Sequence, residues 1–260
     1  MTGDTTGTVR TEITGGVALL TLDRPGKLNA VTDEMSGELL RAVDRLDADD
    51  AIRVGVLTGA GTRAFCVGSD IGQVGGYADP WAFRNRRDYC TVLRGVRKPL
   101  IAAINGYAYG GGLELALSCD IRLASRTSSF AAAEIKLGWI GGGGVSALLS
   151  ASVPASDAAL LLLTGDPVDA AEAYRMGLVS RLYEPGELLP AALALAATVA
   201  QRPPIAAQAA KANLLAARNM GLAQAIQYER EMQAICLATE DAAEGRAAFA
   251  AKRPGRFTGR

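Results

Sequence analysis

Residues 104–114 read Ile104-Asn105-Gly106-Tyr107-Ala108-Tyr109-Gly110-Gly111-Gly112-Leu113-Glu114, an apolar run that breaks into three consecutive glycines and resumes with a carboxylate. A glycine-rich turn from strand to helix leaves N–H groups unpaired at the positive end of the helix, with no Cβ to hold a ligand away. Such a turn binds an anion or a developing oxyanion. A second glycine-rich stretch, Thr62–Gly72, contains Gly68-Ser69-Asp70 and follows the apolar run Val54–Thr58. If both turns emerge on one edge of a parallel sheet, an N–H from each converges on one oxygen. Two preset donors are what an enolate or tetrahedral oxyanion needs. Taken alone, Gly68-Ser69-Asp70 reads equally well as a surface turn.

Two carboxylates accompany these turns. Glu114 follows Gly111 by three residues and lies one helical turn from its amide, where a glutamate that merely satisfies the helix dipole is the competing reading. Glu134 stands in Phe130-Ala131-Ala132-Ala133-Glu134-Ile135-Lys136-Leu137-Gly138-Trp139. Burial in that apolar setting raises a carboxyl pKa and lets it carry a proton near neutrality, whereas an exposed helix-start glutamate is the plainer alternative.

Composition removes several rival chemistries. The chain has no histidine, which excludes a Ser-His-Asp or Cys-His hydrolase and histidine-ligated zinc. Cys66, Cys90, Cys119 and Cys236 include no CxxC pair, so they read as reduced, mostly buried thiols, and no metal site is expected. Lys+Arg and Asp+Glu balance at 27 each, so no global field favours nucleic acid. The local cluster Arg84-Asn85-Arg86-Arg87 keeps an RNA-binding alternative open. No apolar run reaches membrane-spanning length, and no GxGxxG or Walker spacing occurs. The polar start lacks the form of a secretory signal, which makes the cytoplasm the expected compartment and residues 1–7 a mobile end.

The elements that must position these residues follow from periodicity. A hairpin, Val9–Ile13 and Val17–Leu22, turns at Thr14-Gly15-Gly16, and a helix runs from the N-cap Thr32 to Leu46. Strands at Val54–Thr58, Leu100–Ile104 and Ile121–Ala124 alternate with helical stretches, which predicts an α/β protein with a parallel sheet. Residues 186–252 are alanine-rich and helical in period, with Arg202-Pro203-Pro204 the one sharp break. That break divides a core, residues 1–200, from a C-terminal helical region, residues 201–260, too small to bury much by itself. It must pack on the core or on another subunit.

The strings KLNA (27–30), AFCVGSDI (64–71), KPLIAAINGYAYGGGLELALSCDIRLAS (98–125) and LLLTGDPVDAAEAYRMGLVSRL (161–182) resemble the enoyl-CoA hydratase/isomerase, or crotonase, family, from about Val9 to Phe257. The resemblance implies a spiral of ββα units with a C-terminal helical trimerisation region, assembled as a homotrimer or homohexamer. It implies an oxyanion hole at the N–H groups of Ser69 and Gly111, with no part required of the Ser69 side chain, and the hydratase pair Glu114 and Glu134. Water then adds across a 2-enoyl-CoA: Glu114 deprotonates the water and Glu134 supplies the proton at C2, with no metal or redox cofactor. Coenzyme A is part of the acyl-CoA substrate. Lys27, Leu28 and Ala30, the turn Asp70-Ile71-Gly72, and Lys252 and Phe257 in the closing segment match positions beside the substrate and its CoA, the last two sometimes reaching a neighbouring subunit.

Two departures from the family pattern stand out. Trp139-Ile140-Gly141-Gly142-Gly143-Gly144 replaces a proline-containing stretch after the second glutamate, which predicts a looser backbone there. Gly72 replaces a lysine found in several hydratases, and loop 73–77 lines the acyl end in relatives. Isomerases, dehydratases and hydrolases of the family share the same hole, and noncatalytic acyl-CoA binders occur too. Retention of both glutamates favours hydration.

Overall fold

The structure is a computed structural model and describes residues 6–73 and 78–260. In chain order it forms β1 (Thr8–Thr14), β2 (Val17–Asp23), a 3-10 turn at Pro25–Lys27, α1 (Asp33–Ala48), β3 (Val54–Gly59), β4 (Ala64–Cys66), α2 (Pro80–Arg84) and α3 (Tyr89–Gly95). Next come β5 (Leu100–Ile104), β6 (Tyr107–Tyr109), α4 (Gly111–Leu117), β7 (Ile121–Ser125), β8 (Ser129–Ala131) and a 3-10 turn at Ala133–Leu137. The chain continues through α5 (Val145–Ser150), α6 (Ala155–Thr164), β9 (Val168–Asp169), α7 (Ala170–Arg175) and β10 (Arg181–Tyr183). Four helices close it: α8 (Pro185–Ala200), α9 (Pro204–Asn219), α10 (Leu222–Leu237) and α11 (Glu240–Ala250).

Two sheets carry the strands. The larger has the order β1-β2-β3-β5-β7-β10 and is parallel beyond the β1/β2 hairpin. Gly15 and Gly16 close that hairpin with φ of 58° and 82°, the left-handed pair that a two-residue turn requires. The smaller sheet has the order β4-β6-β8-β9, parallel except for β8/β9. Each turn of the spiral therefore gives one strand to each sheet: β3 with β4, β5 with β6, β7 with β8.

Burial explains the layering. Every residue of β3 and β5 is buried, as in a parallel strand covered on both faces. On one face Leu188, Ala192, Ala196 and Ala200 of α8 pack against Val54, Val56, Ile101 and Leu123. On the other, Met35, Leu39, Val43 and Leu46 of α1 join Leu57, Leu100 and Ile104 and continue to Phe65 and Phe130 under the small sheet. Each fully buried side chain of this size contributes about 2–3 kcal/mol of transfer free energy. Thr32 caps α1, its hydroxyl accepting the Met35 N–H at 3.2 Å.

Three expectations need correction. The triple glycine does not leave strand Leu100–Ile104 directly, because β6 intervenes and belongs to the other sheet. The helical tail has two more breaks, at Met220-Gly221 and Ala238-Thr239, where Gly221 and Thr239 take extended N-cap conformations. Residues 1–5 lie outside the described residues, but Gly7 is packed: a Cβ there would fall 2.8 Å from Arg24 Cβ. Among the described residues, no helix is long and apolar enough to cross a membrane.

Candidate active site

The small sheet assembles the site. Neighbouring strands β4, β6 and β8 lead in turn to Ser69, to Gly111 with Glu114, and to Glu134. The two glycine turns thus meet at the edge of this sheet rather than at the edge of the large one. A Cβ on Gly68 would lie 2.8 Å from the Gly111 nitrogen, and one on Gly111 would lie 3.6 Å from the Ser69 nitrogen. Gly68 has φ 94°, so only glycine fits both the turn and the approach. Among the described residues neither the Ser69 nor the Gly111 N–H has an acceptor, while the flanking groups do: Asp70 N–H donates to Val31 and Gly110 N–H to Ala131. Two free amides stand side by side at the start of α4.

Glu114 is 5% exposed, and its Oε1 accepts N–H bonds from Gly143 at 2.8 Å and Val145 at 3.2 Å. Burial pushes its carboxyl up to about 7; nearby Glu134 pushes the same way, and the two N–H donors oppose them. Glu134 is half-buried in the 3-10 turn after β8, and burial raises its pKa as well. Its Oε2 is buried with no hydrogen-bond partner. A Cβ on Gly141 would lie 2.5 Å from Glu114 Oε1 and 3.1 Å from Glu134 Oε1, so the carboxyl groups face one another across that residue.

The glycine run is therefore not a loosened segment, contrary to expectation. A Cβ on Gly143 would come 2.5 Å from Glu114 Oε2, and the Gly143 carbonyl accepts from Arg94. Arg94 also donates to Ser118 Oγ at 3.2 Å, pinning the run to α4. Glycine serves at 141 and 143 because the Glu114 carboxylate occupies the space a side chain would take, and at 144 because φ is 109°.

The other substrate-side candidates fall into two groups. Asn29, with φ 56°, donates to the Ala60 and Ala64 carbonyls at 3.0 and 2.8 Å and accepts the Arg24 N–H, so it fixes the loop that carries Lys27, Leu28 and Ala30. Arg24 pairs with Asp70 at 2.6 Å, and that bond, with the Gly72 N–H, holds the Asp70 carboxyl below its ordinary value. Lys27, Leu28, Ala30, Asp70, Ile71 and Gly72 are thus brought together beside Ser69, with Lys27, Ile71 and Gly72 exposed. Gln73 accepts the Asp33 N–H, and residues 74–77 lie outside the described residues.

Phe257 is not part of this group, and Lys252 lies just past α11, its N–H donating to the Phe249 carbonyl. The Phe257 carbonyl accepts from Arg53 at 2.6 Å, beside the first residue of β3, whereas Asn29 and Phe65 meet the last, Gly59. They lie at opposite ends of one strand. The Arg84–Arg87 cluster is engaged internally: Arg84 lies 5.3 Å from the Trp81 ring, Arg86 lies 4.0 Å from Phe83 and 3.3 Å from Asp88, and Arg87 pairs with Asp44 at 2.6 Å.

Comparisons with known proteins place the chain among relatives of one family. The family profile for enoyl-CoA hydratase/isomerase matches residues 12–260. The chain is 38% identical over 253 residues to (E)-benzylidenesuccinyl-CoA hydratase of Thauera aromatica, covering 96% of this chain and 99% of that one. It is 38% identical to 2,3-dehydroadipyl-CoA hydratase of Escherichia coli K12, covering 94% and 96%. The crystal structure of an enoyl-CoA hydratase from Mycobacterium tuberculosis H37Rv superposes with a TM-score of 0.87 at 35% identity, covering 97% and 99%.

Proposed function

Because the chain belongs to the enoyl-CoA hydratase/isomerase family, we propose that it hydrates 2-enoyl-CoA thioesters to 3-hydroxyacyl-CoA. The observation that carries this reading is a buried Glu114 carboxyl facing the half-buried Glu134 carboxyl across Gly141, beside two amides without acceptors. The thioester oxygen binds the Ser69 and Gly111 N–H groups, which gain most when it becomes enolate-like. Glu114, whose ionised form the Gly143 and Val145 amides favour, takes a proton from the attacking water. Glu134, whose Oε2 has no donor to stabilise a charge, carries the proton delivered to C2. The steps draw on carboxyls and amides alone, without a cofactor.

Lys27, Leu28, Ala30 and the Asp70–Gly72 turn are proposed to flank the thioester and its CoA. Phe257 stands at the far end of β3, so it and Lys252 of the same closing segment serve a neighbouring subunit's CoA in a trimer or a pair of trimers. Helix α10 supports such assembly, having no buried residue while Leu222, Ile226, Ile235 and Leu237 lie exposed. A reducing cytoplasm suits its four unpaired thiols.

The test is loss of the conjugated-thioester absorbance with crotonyl-CoA, longer and branched 2-enoyl-CoAs, and the unsaturated dicarboxylic CoA esters for which the two relatives are named. We expect Glu114→Gln and Glu134→Gln each to slow turnover by about 100-fold or more, the scale of general acid–base catalysis. Turnover indifferent to both changes would refute the mechanism.

A further inference from the structure

Tyr89 opens α3 and is 8% exposed, and the reaction proposed above gives it no part. Its hydroxyl lies 3.0 Å from Ser69 Oγ, and a Cβ on Gly111 would come 2.6 Å from the same oxygen. One phenolic oxygen therefore touches both segments whose amides form the hole. The ring is held from behind: Asp88 caps α3 by accepting the Cys90 and Thr91 N–H groups at 3.0 Å, and Tyr89 packs in the core with Phe65 and Leu93. Burial, with Cys90 and Cys66 close by, pushes its pKa well above the ordinary phenol value, so the hydroxyl keeps its proton while the carboxyl groups titrate. Ser69 stands on an exposed turn, where Val31 pins only the flanking peptides, donating to Gly68 and accepting from Asp70.

We propose that Tyr89 is a positioning residue for the oxyanion hole. Its hydrogen bond to Ser69 Oγ and its contact with Gly111 fix the spacing of the two N–H groups. The assignment rests on the reading of Ser69 and Gly111 as that hole, and it gives the Ser69 side chain a part that the family resemblance did not require.

Tyr89→Phe removes one oxygen and keeps the ring. Two readouts follow: steady-state hydration, and the infrared carbonyl stretch of bound butyryl-CoA carrying a 13C thioester carbon. Expected is a loss in kcat of about tenfold or more with KM held within about threefold, the pattern of misplaced rather than missing groups. The bound carbonyl should move back toward its position in the free ester. Ser69→Ala should reproduce both effects, and the double variant should lose no more than either single one, because both changes break one contact.

An unmoved carbonyl in Tyr89→Phe, or losses that multiply in the double variant, would overturn the assignment. The carbonyl readout needs binding but no turnover. A parent protein that polarises the carbonyl yet hydrates nothing removes the hydratase reading and leaves Tyr89 standing; full turnover by Tyr89→Phe does the reverse. A parent protein that does not shift the carbonyl overturns both. If Tyr89→Phe does not fold, Ser69→Ala on its exposed turn gives the same decision.

Discussion

Glu114 is held in a place that costs the fold something whenever it ionises. Its carboxyl titrates near 7 in the folded protein, against an ordinary value of 4.5. Because the folded pKa is the higher, the stabilisation tied to the protonated form is full below the unfolded value and disappears as pH rises through about 7. Glu114→Gln should therefore gain about 3 kcal/mol over the parent at pH 8, with under about 1 kcal/mol at pH 5, as read by urea melts at the two pH values. Activity should move the opposite way. At this scale the four central candidates, which the structure brings together, could be picked out of the sequence only through their resemblance to a family: a lone glutamate after a glycine turn also reads as a helix cap. Tyr89 was not legible, since its bond to Ser69 spans 20 residues and depends on α3 packing over α4. The run Gly141–Gly144 was legible only as a departure, and the purpose of Gly141 and Gly143 appears once the Glu114 carboxylate is seen in the space where their side chains would stand.

Among the elements, α4 and β4 make the closest approach that the site depends on. A Cβ on Gly112 would fall 1.9 Å from the Cys66 carbonyl oxygen, which is backbone and cannot swing aside. Gly112→Ala should destabilise the protein by about 3 kcal/mol or more and separate Ser69 from Gly111, seen as a lowered melting temperature and lost turnover. The longer elements were readable because their patterns are long enough to count. Leu100–Ile104 emerged with the bounds expected, and α1 began after the N-cap expected. Strands β4, β6 and β8 were not, since three residues carry no period, and they make the sheet on which the site is built. The breaks at Gly221 and Thr239 were missed because alanine-rich sequence on either side keeps helical spacing through a short turn.

For the whole molecule, the spiral explains how a site can be gathered from residues 24 to 145. Each ββα turn advances the chain by one strand in both sheets, so residues distant in sequence reach one edge. What the single chain leaves unfinished is its far side. Leu222 is 78% and Phe249 88% exposed, and α9 is tied to the core by the buried Lys211, which meets Asp120 and the Lys98 carbonyl at 2.9 Å. Light scattering should give three or six times the 26.9 kDa of one chain. Leu222→Glu combined with Ile235→Glu should reduce that mass, as charge on an interface core opposes association. The dense alanine of this region announced helices that need a partner, but which faces stay open is a matter of packing and was not readable from spacing.

The burial of the cysteines makes the protein convenient to label. Burial pushes the Cys66 and Cys119 thiols up to about 12 and Cys90 well above its ordinary value, so these three are shut away from electrophiles. Cys236 is only partly covered, on α10 in the groove against α9. In the separated folded chain a maleimide dye should couple once, at Cys236, and after denaturation four times, counted by mass spectrometry. Fluorescence from that single handle, on the helix left open in the lone chain, would then report subunits meeting and parting in real time.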